Sequence, residues 1–122
     1  MAGPRNSKKT MIAVCGKGGV GKTAFTALTS RALRESGRAG KLLLIDADPA
    51  MALPNTLGVS VSRTMGEVRE AIIETARSSR REEKDRLANS IDYLALEALH
   101  EENGFALLAM GRTETLGCFC PV

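Results

Sequence analysis

The chain has 122 residues, of which 43% are apolar, 3% aromatic and 25% charged, with a net charge of +3. These values fit one globular domain and exclude collagen-like and disordered chains, and no apolar run approaches the roughly 20 residues that a membrane-spanning helix needs. One Tyr, three Phe and no Trp offer few stacking partners for bases, so nucleic-acid binding is not favoured despite a basic arm over residues 1–9.

The chain carries three cysteines, at positions 15, 118 and 120, and its first residues contain no apolar stretch of the signal-peptide type. An odd number of cysteines cannot all pair within one chain, so free thiols are expected. Together these features predict a protein of the reducing cytoplasm.

In chain order, the hydrophobic pattern first predicts a strand over 10–15, with Cys15 as a buried thiol at its end. A helix follows over 22–36 and stops at Gly37. The next strand, over 41–46, is continuously apolar, so both of its faces should be covered. Strand, helix and strand in this order predict a right-handed parallel crossover.

The second half of the chain alternates loops with regular elements. Residues 47–63 read as a loop, after which Thr64 and Glu67 form the capping box of a helix. Another helix is predicted from Ser90 to about Gly104, with His100 at its exposed end. A third buried strand over 105–110 precedes a final loop. The fold class is therefore α/β, a parallel sheet flanked by helices.

A glycine-rich segment lies between the first predicted strand and the first predicted helix. Gly16 and Gly21 are five residues apart and are followed by Lys22 and Thr23, which is the P-loop pattern. In such a loop the backbone N–H groups and the helix N-terminus bind phosphates, the lysine neutralises the outer phosphates and the threonine hydroxyl holds Mg²⁺. The sequence thus predicts ATP or ADP binding by Gly16, Lys17, Gly18, Gly19, Val20, Gly21, Lys22, Thr23 and Ala24.

Two carboxylates follow the second predicted strand, in the segment Asp46-Ala47-Asp48-Pro49. Ligands of open parallel sheets sit at the carboxyl ends of the strands, where a carboxylate can orient water or a hydrated metal ion. Asp-Pro is also an ordinary turn former. Both interpretations remain open from the residues alone.

A pair of thiols, Cys118 and Cys120, stands one residue apart near the end of the chain. Two thiolates can bind one soft metal ion, but a closed site needs about four donors. Two copies related by a twofold axis would supply the four.

Lys17 lies inside the loop, where an ordinary P-loop needs no charge. In this feature the segment resembles the deviant P-loop ATPases, which include the nitrogenase iron protein, the arsenite-efflux ATPase and the septum-site and chromosome-partition ATPases. The resemblance implies a nucleotide-sandwich homodimer in which Lys17 reaches the partner's nucleotide. It also implies that Asp48 positions the attacking water and that Asp46 supports the magnesium ion.

A narrower resemblance involves the end of the chain. Met110-Gly111-Arg112, Glu114, Gly117 and Cys118-Phe119-Cys120 are similar to the segment Met-Gly-Arg-x-Glu-Gly-Pro-Gly-Cys-Tyr-Cys of CooC-type accessory ATPases, although Thr115 and Leu116 replace Gly-Pro. This resemblance implies one metal ion, nickel in function and zinc when adventitious, bound by Cys118 and Cys120 of each subunit. It also implies a client such as carbon monoxide dehydrogenase.

Other hypotheses remain open. A partition or positioning ATPase would use the P-loop but leave the thiols without a task, and an iron–sulfur reductase would use the thiols for a bridging cluster. A storage or sensing module would bind nucleotide without hydrolysing it. The resemblance also implies that residues 10–122 are the N-terminal part of a longer ATPase domain, so we expect the 122-residue chain alone to hydrolyse ATP poorly or not at all.

Overall fold

The computed structural model describes residues 9–78, 93–102 and 104–112. Within these ranges the elements are α1 (Lys22–Glu35), β1 (Leu43–Asp46), α2 (Ala52–Leu57), α3 (Met65–Ser78), β2 (Leu99–Glu102) and β3 (Phe105–Ala109). A helical turn at 93–97 precedes β2. No helix in this part of the chain is long and apolar enough to cross a bilayer.

The three strands form one mixed sheet in the order β1-β3-β2. β1 and β3 are parallel, with Leu44 opposite Leu107, and β2 is antiparallel to β3, with Leu99 opposite Leu108. The helix predicted from Ser90 to Gly104 is therefore wrong for residues 99–102. Gly104 has a φ of 94°, which permits a tight hairpin. β2 can then add its hydrogen bonds to the edge of β3.

The strand predicted over 10–15 is not formed. Met11 is 92% exposed and the Cys15 thiol is also exposed, so the prediction of a buried thiol is wrong too. A strand needs a neighbour to pair its backbone groups, and none of the described strands lies beside this segment. The predicted crossover between the first two strands is consequently absent, and the parallel pair is β1 with β3.

The predicted strand over 41–46 forms as β1, but only one of its faces is covered. Leu44 is buried, whereas Leu43 and Ile45 are 52% and 57% exposed. Side chains alternate between the two faces of a strand, and residues of α1 and α2 pack against the Leu44 side. The loop predicted over 47–63 is also partly wrong, because it contains α2, whose Leu53 is buried in the core.

Several local signals are confirmed. α1 occupies the predicted range, and the N–H of Gly37, with a φ of 65°, donates to the Arg34 carbonyl oxygen at 3.1 Å. α3 begins after a complete capping box. The Thr64 N–H donates to Glu67 Oε2 at 2.7 Å, and the Glu67 N–H donates to Thr64 Oγ1 at 3.2 Å. The third strand is buried in alternation as β3.

The core lies on one face of the sheet. It contains residues from β1, β3, α2 and the chain after α2, with Ala27 of α1 packed against them: Leu44, Leu53, Val59, Phe105 and Leu107. α1 packs against α2, and α2 contacts β1. This packing brings the N-terminal region of the chain and the carboxyl end of β1 into one unit.

Candidate nucleotide site

The glycine-rich segment forms a tight loop directly before α1. The Val20 N–H donates to the Lys17 carbonyl oxygen at 3.4 Å, and the Phe25 N–H donates to the Gly21 oxygen at 2.9 Å as the helix begins. Gly19 and Gly21 have φ values of 80° and 94°, which favour glycine because it lacks a Cβ. The segment therefore forms the predicted turn and helix start, although the strand predicted before it is absent.

Lys22 lies at the first position of α1 and its side chain folds back over the loop. Its Nζ donates to the Lys17 carbonyl oxygen at 3.1 Å. Hydrogen bonds from an ammonium group to an anionic oxygen are stronger than those to a neutral carbonyl. A phosphate in the loop would accordingly compete well for this ammonium group.

The N-terminus of α1 supplies further donors to the same place. Gly21 is the N-cap residue, so no side chain at this position caps the helix, and the first turn contains no acidic residue. The N–H groups of a first turn have no partner within the helix and carry a partial positive charge. Thr23 is half-buried beside this turn and Ala24 is exposed. The loop and the helix end thus offer backbone donors and positive charge of the kind that phosphate-binding sites use.

Asp46 lies at the carboxyl end of β1 and is 7% exposed. Its Oδ1 accepts the Asp48 N–H at 3.0 Å and its Oδ2 accepts the Leu53 N–H at 3.0 Å. Each carboxylate oxygen has a second lone pair. Asp46 thus fixes the start of α2 and retains acceptor capacity for a hydrated cation. The sequence did not reveal this anchoring role, because the partner N–H is seven residues away.

Asp48 is exposed, and its Oδ1 accepts the Ala50 N–H at 2.9 Å. This is the local contact of a turn-forming aspartate. The contact expected of a turn-forming aspartate is therefore present, and it involves only one of the two carboxylate oxygens of Asp48. Within residues 9–78, no hydrogen bond or ion pair joins the loop to Asp46 or Asp48.

The sequence also predicts Cys118 and Cys120 as metal ligands and His100 as an exposed residue at a helix end. Cys118 and Cys120 lie outside the described residues. Elsewhere, the described part of the chain contains no group of three or more His, Cys, Asp or Glu side chains placed to hold a metal ion. His100 belongs to β2 rather than to a helix end, is half-buried, and has Nε2 3.2 Å from Glu102 Oε1.

Comparison with known proteins identifies the family of the chain. The family model of the anion-transporting ATPases matches residues 9–107. The chain belongs to this family. Membership establishes a P-loop NTPase, and the small mixed sheet with helices fits a partial α/β domain of that class.

Relatives of the chain include an uncharacterised ATP-binding protein of Methanocaldococcus jannaschii, 46% identical over 115 residues, which are 92% of this chain and 44% of that protein. The carbon monoxide dehydrogenase accessory protein CooC of Rhodospirillum rubrum is 32% identical over 121 residues, which are 90% of this chain and 44% of that protein. The chain thus spans less than half the length of these relatives. No solved structure gives a significant match.

Proposed function

We propose that the chain is the nucleotide-binding part of an ATP-dependent maturation factor that delivers nickel to carbon monoxide dehydrogenase or a related metalloenzyme in the cytoplasm. The observation that carries the ATP-dependent half is the loop before α1, where Lys22 Nζ lies 3.1 Å from the Lys17 carbonyl oxygen at an uncapped helix N-terminus. A triphosphate fits this arrangement of donors and positive charge.

The proposed reaction is ATP hydrolysis. Lys22 neutralises the outer phosphates, and the Thr23 hydroxyl holds Mg²⁺ with support from Asp46. Asp48 is exposed, and its carboxylate can orient the attacking water.

Lys17 is proposed to act on the nucleotide of a second copy. Its side chain is exposed, and a cation that reaches the transferring phosphate only on dimer closure ties hydrolysis to assembly.

The proposed cargo is one nickel ion held between two copies. Cys118 and Cys120 of each copy would supply four thiolates, which suit a soft or borderline metal. The naming of a relative as a carbon monoxide dehydrogenase accessory protein supports nickel over zinc as the delivered ion. ATP binding closes the dimer and gathers the thiolates, and hydrolysis reopens it and releases the ion to the client enzyme.

The experiment is a Ni²⁺ titration followed by the thiolate-to-nickel absorption, with and without Mg²⁺ and a non-hydrolysable ATP analogue. We expect nucleotide to tighten nickel binding at least tenfold, because it brings the second pair of thiolates to the ion. Lys17→Ala should remove this effect. The double variant Cys118→Ser with Cys120→Ser should lose binding, whereas Cys15→Ser, which changes an exposed thiol outside the pair, should not.

Different outcomes point to different functions. Nickel binding that ignores nucleotide, or that survives the double cysteine variant, contradicts the proposal. Nucleotide-dependent binding to DNA or liposomes that survives cysteine replacement would favour a partition-type switch. A brown, reducible protein after anaerobic reconstitution with iron and sulfide would favour a reductase.

A further inference from the structure

A cleft of about 420 Å³ lies at the C-terminal end of α1. Its walls come from the last turns of α1, from the chain that leads to β1 and from the turn between β2 and β3. The lining residues are Arg31, Arg34, Glu35, Ala39, Gly40 and Gly104. Because α1 has 14 residues, at about 1.5 Å each, about 20 Å separate its two ends. This cleft, which we call the α1 cleft, is therefore distinct from the candidate nucleotide site.

Positive charge is concentrated around the α1 cleft. Residues 31–41 contain four basic side chains and one acidic side chain, which gives them a net charge of +3. The whole chain also has a net charge of +3, so the remaining residues are neutral overall. Arg38 and Lys41 are not in the lining, but both are exposed and adjoin lining residues along the chain. An anionic ligand is therefore attracted to this end of α1.

Arg34 is held in place by its packing. Its guanidinium carbon lies 5.0 Å from the centroid of the Phe105 ring, within the range of a cation–π contact. Phe105 belongs to β3 and is only 9% exposed, so the ring is a fixed support. A Cβ on Gly104 would lie 3.0 Å from Arg34 Nε, so the side chain also lies close to the backbone of the turn. Since the guanidinium group is already positioned, it loses less conformational entropy when it binds an anion.

Arg31 and two backbone groups add further donors to the α1 cleft. Arg31 Nε donates to Glu35 Oε1 at 2.7 Å, which leaves the terminal NH₂ groups of this guanidinium without a hydrogen bond inside the described ranges. The N–H groups of Ala39 and Gly40 likewise have no partner among the residues that the structure describes. Glu35 is the one acidic side chain in the lining, and Arg31 already neutralises it.

This distribution of charge favours several carboxylates over a single compact anion. The basic side chains are spread over the last two turns of α1 and the following loop, and the C-terminal end of a helix carries a partial negative charge that opposes a phosphate placed there. Guanidinium groups bind carboxylates with paired hydrogen bonds. Nucleic acid fits less well, because single strands stack on accessible aromatic rings, whereas the ring beside Arg34 is that of the buried Phe105.

We propose that the α1 cleft is a docking site for an acidic segment of a partner protein. Arg31 and Arg34 pair with carboxylates of the segment, and the N–H groups of Ala39 and Gly40 donate to it. The segment carries several Asp or Glu residues, because one exposed ion pair contributes little to binding. This inference goes beyond the proposed function and does not rest on it, since the site needs neither nucleotide nor metal.

The experiment measures the affinity of the 122-residue chain for a fluorescein-labelled oligoglutamate peptide by fluorescence anisotropy at low ionic strength. Arg34→Gln should weaken binding about fivefold, the upper end of what a partly exposed ion pair contributes. Arg77→Gln is the matched control, because it makes the same change of charge at an exposed arginine in the last turn of α3, and it should alter the affinity less than about twofold. Glu35→Gln should tighten binding, because it removes the acidic side chain of the lining and releases Arg31 Nε.

A second variant covers the case in which Arg34→Gln disturbs the fold. The Arg31 side chain is 73% exposed, so Arg31→Gln leaves the packing intact, and it should also weaken binding more than Arg77→Gln. No binding of the peptide, or equal losses in the cleft variants and Arg77→Gln, overturns the proposal. Displacement of the peptide by Mg²⁺ and the ATP analogue would place it in the glycine-rich loop and also overturn the proposal. Tighter binding of inorganic phosphate or of a single-stranded oligonucleotide than of the peptide would do the same, by assigning the α1 cleft to phosphate groups.

Discussion

Asp46→Asn separates the structural role of this residue from its proposed chemical role. The Asp46 carboxylate accepts two backbone N–H groups, from Asp48 and Leu53, each at 3.0 Å, and is 7% exposed. An asparagine amide has one oxygen, so one of these N–H groups would face the NH₂ group instead. A lost hydrogen bond to a buried charged group costs about 1.5–3 kcal/mol. We therefore expect the free energy of unfolding to fall by about 2 kcal/mol.

The assay is urea denaturation followed by far-ultraviolet circular dichroism. With a slope of about 2 kcal/mol per M, the midpoint should fall by about 1 M urea. Asp48→Asn is the matched control, because the exposed Asp48 Oδ1 accepts only the local Ala50 N–H and an amide oxygen can replace it. Its cost should stay below about 0.5 kcal/mol. Equal midpoints for the two variants would refute the anchoring role of Asp46.

Three further predictions concern the free energy of unfolding and use the same assay. Leu107→Ala should lower it by about 2–5 kcal/mol because Leu107 is fully buried. Leu28→Ala, on the exposed side of α1, should lower it by less than about 0.5 kcal/mol, and similar losses for the two variants would contradict the placement of the core. Gly37→Ala should cost about 1 kcal/mol because its φ is 65°, and a neutral result would mean that α1 ends differently. Glu97→Gln breaks the ion pair with the Arg63 guanidinium and should lower the free energy of unfolding by less than about 1 kcal/mol. This loss should disappear in high salt, which screens the pair. A larger loss that does not depend on salt would contradict a partly exposed ion pair.

The sequence predicted correctly those elements that are fixed by contacts between residues close together in the chain. The glycines and Lys22 predicted the loop before α1, and Thr64 with Glu67 predicted the start of α3, because each contact joins residues within a few positions of each other. β3 was predicted from its apolar run, since burial on alternate positions needs only a covered face. These features account for α1, α3 and the loop before α1, but not for α2, which lies in a segment predicted as a loop.

Predictions that depended on contacts between residues far apart in the chain were wrong or incomplete. The apolar run over 10–15 has strand composition, yet whether it forms a strand depends on a neighbour that periodicity cannot supply. Residues 99–102 became β2 because the free edge of β3 and the turn at Gly104 were available to them. The hydrogen bond from the Gly66 N–H to the Met110 carbonyl oxygen is likewise a long-range contact. A glycine such as Gly66 inside a helix signals close approach, but the sequence does not say to what.

The central claim is that nucleotide and nickel assemble two copies of the chain around one ion. Native mass spectrometry of the 13.0 kDa chain with Mg²⁺, an ATP analogue and Ni²⁺ tests it directly. The account predicts a dimer carrying two nucleotides and a single nickel ion, with the nickel absent from the double variant of Cys118 and Cys120. A monomer that binds nickel equally well without nucleotide would contradict it.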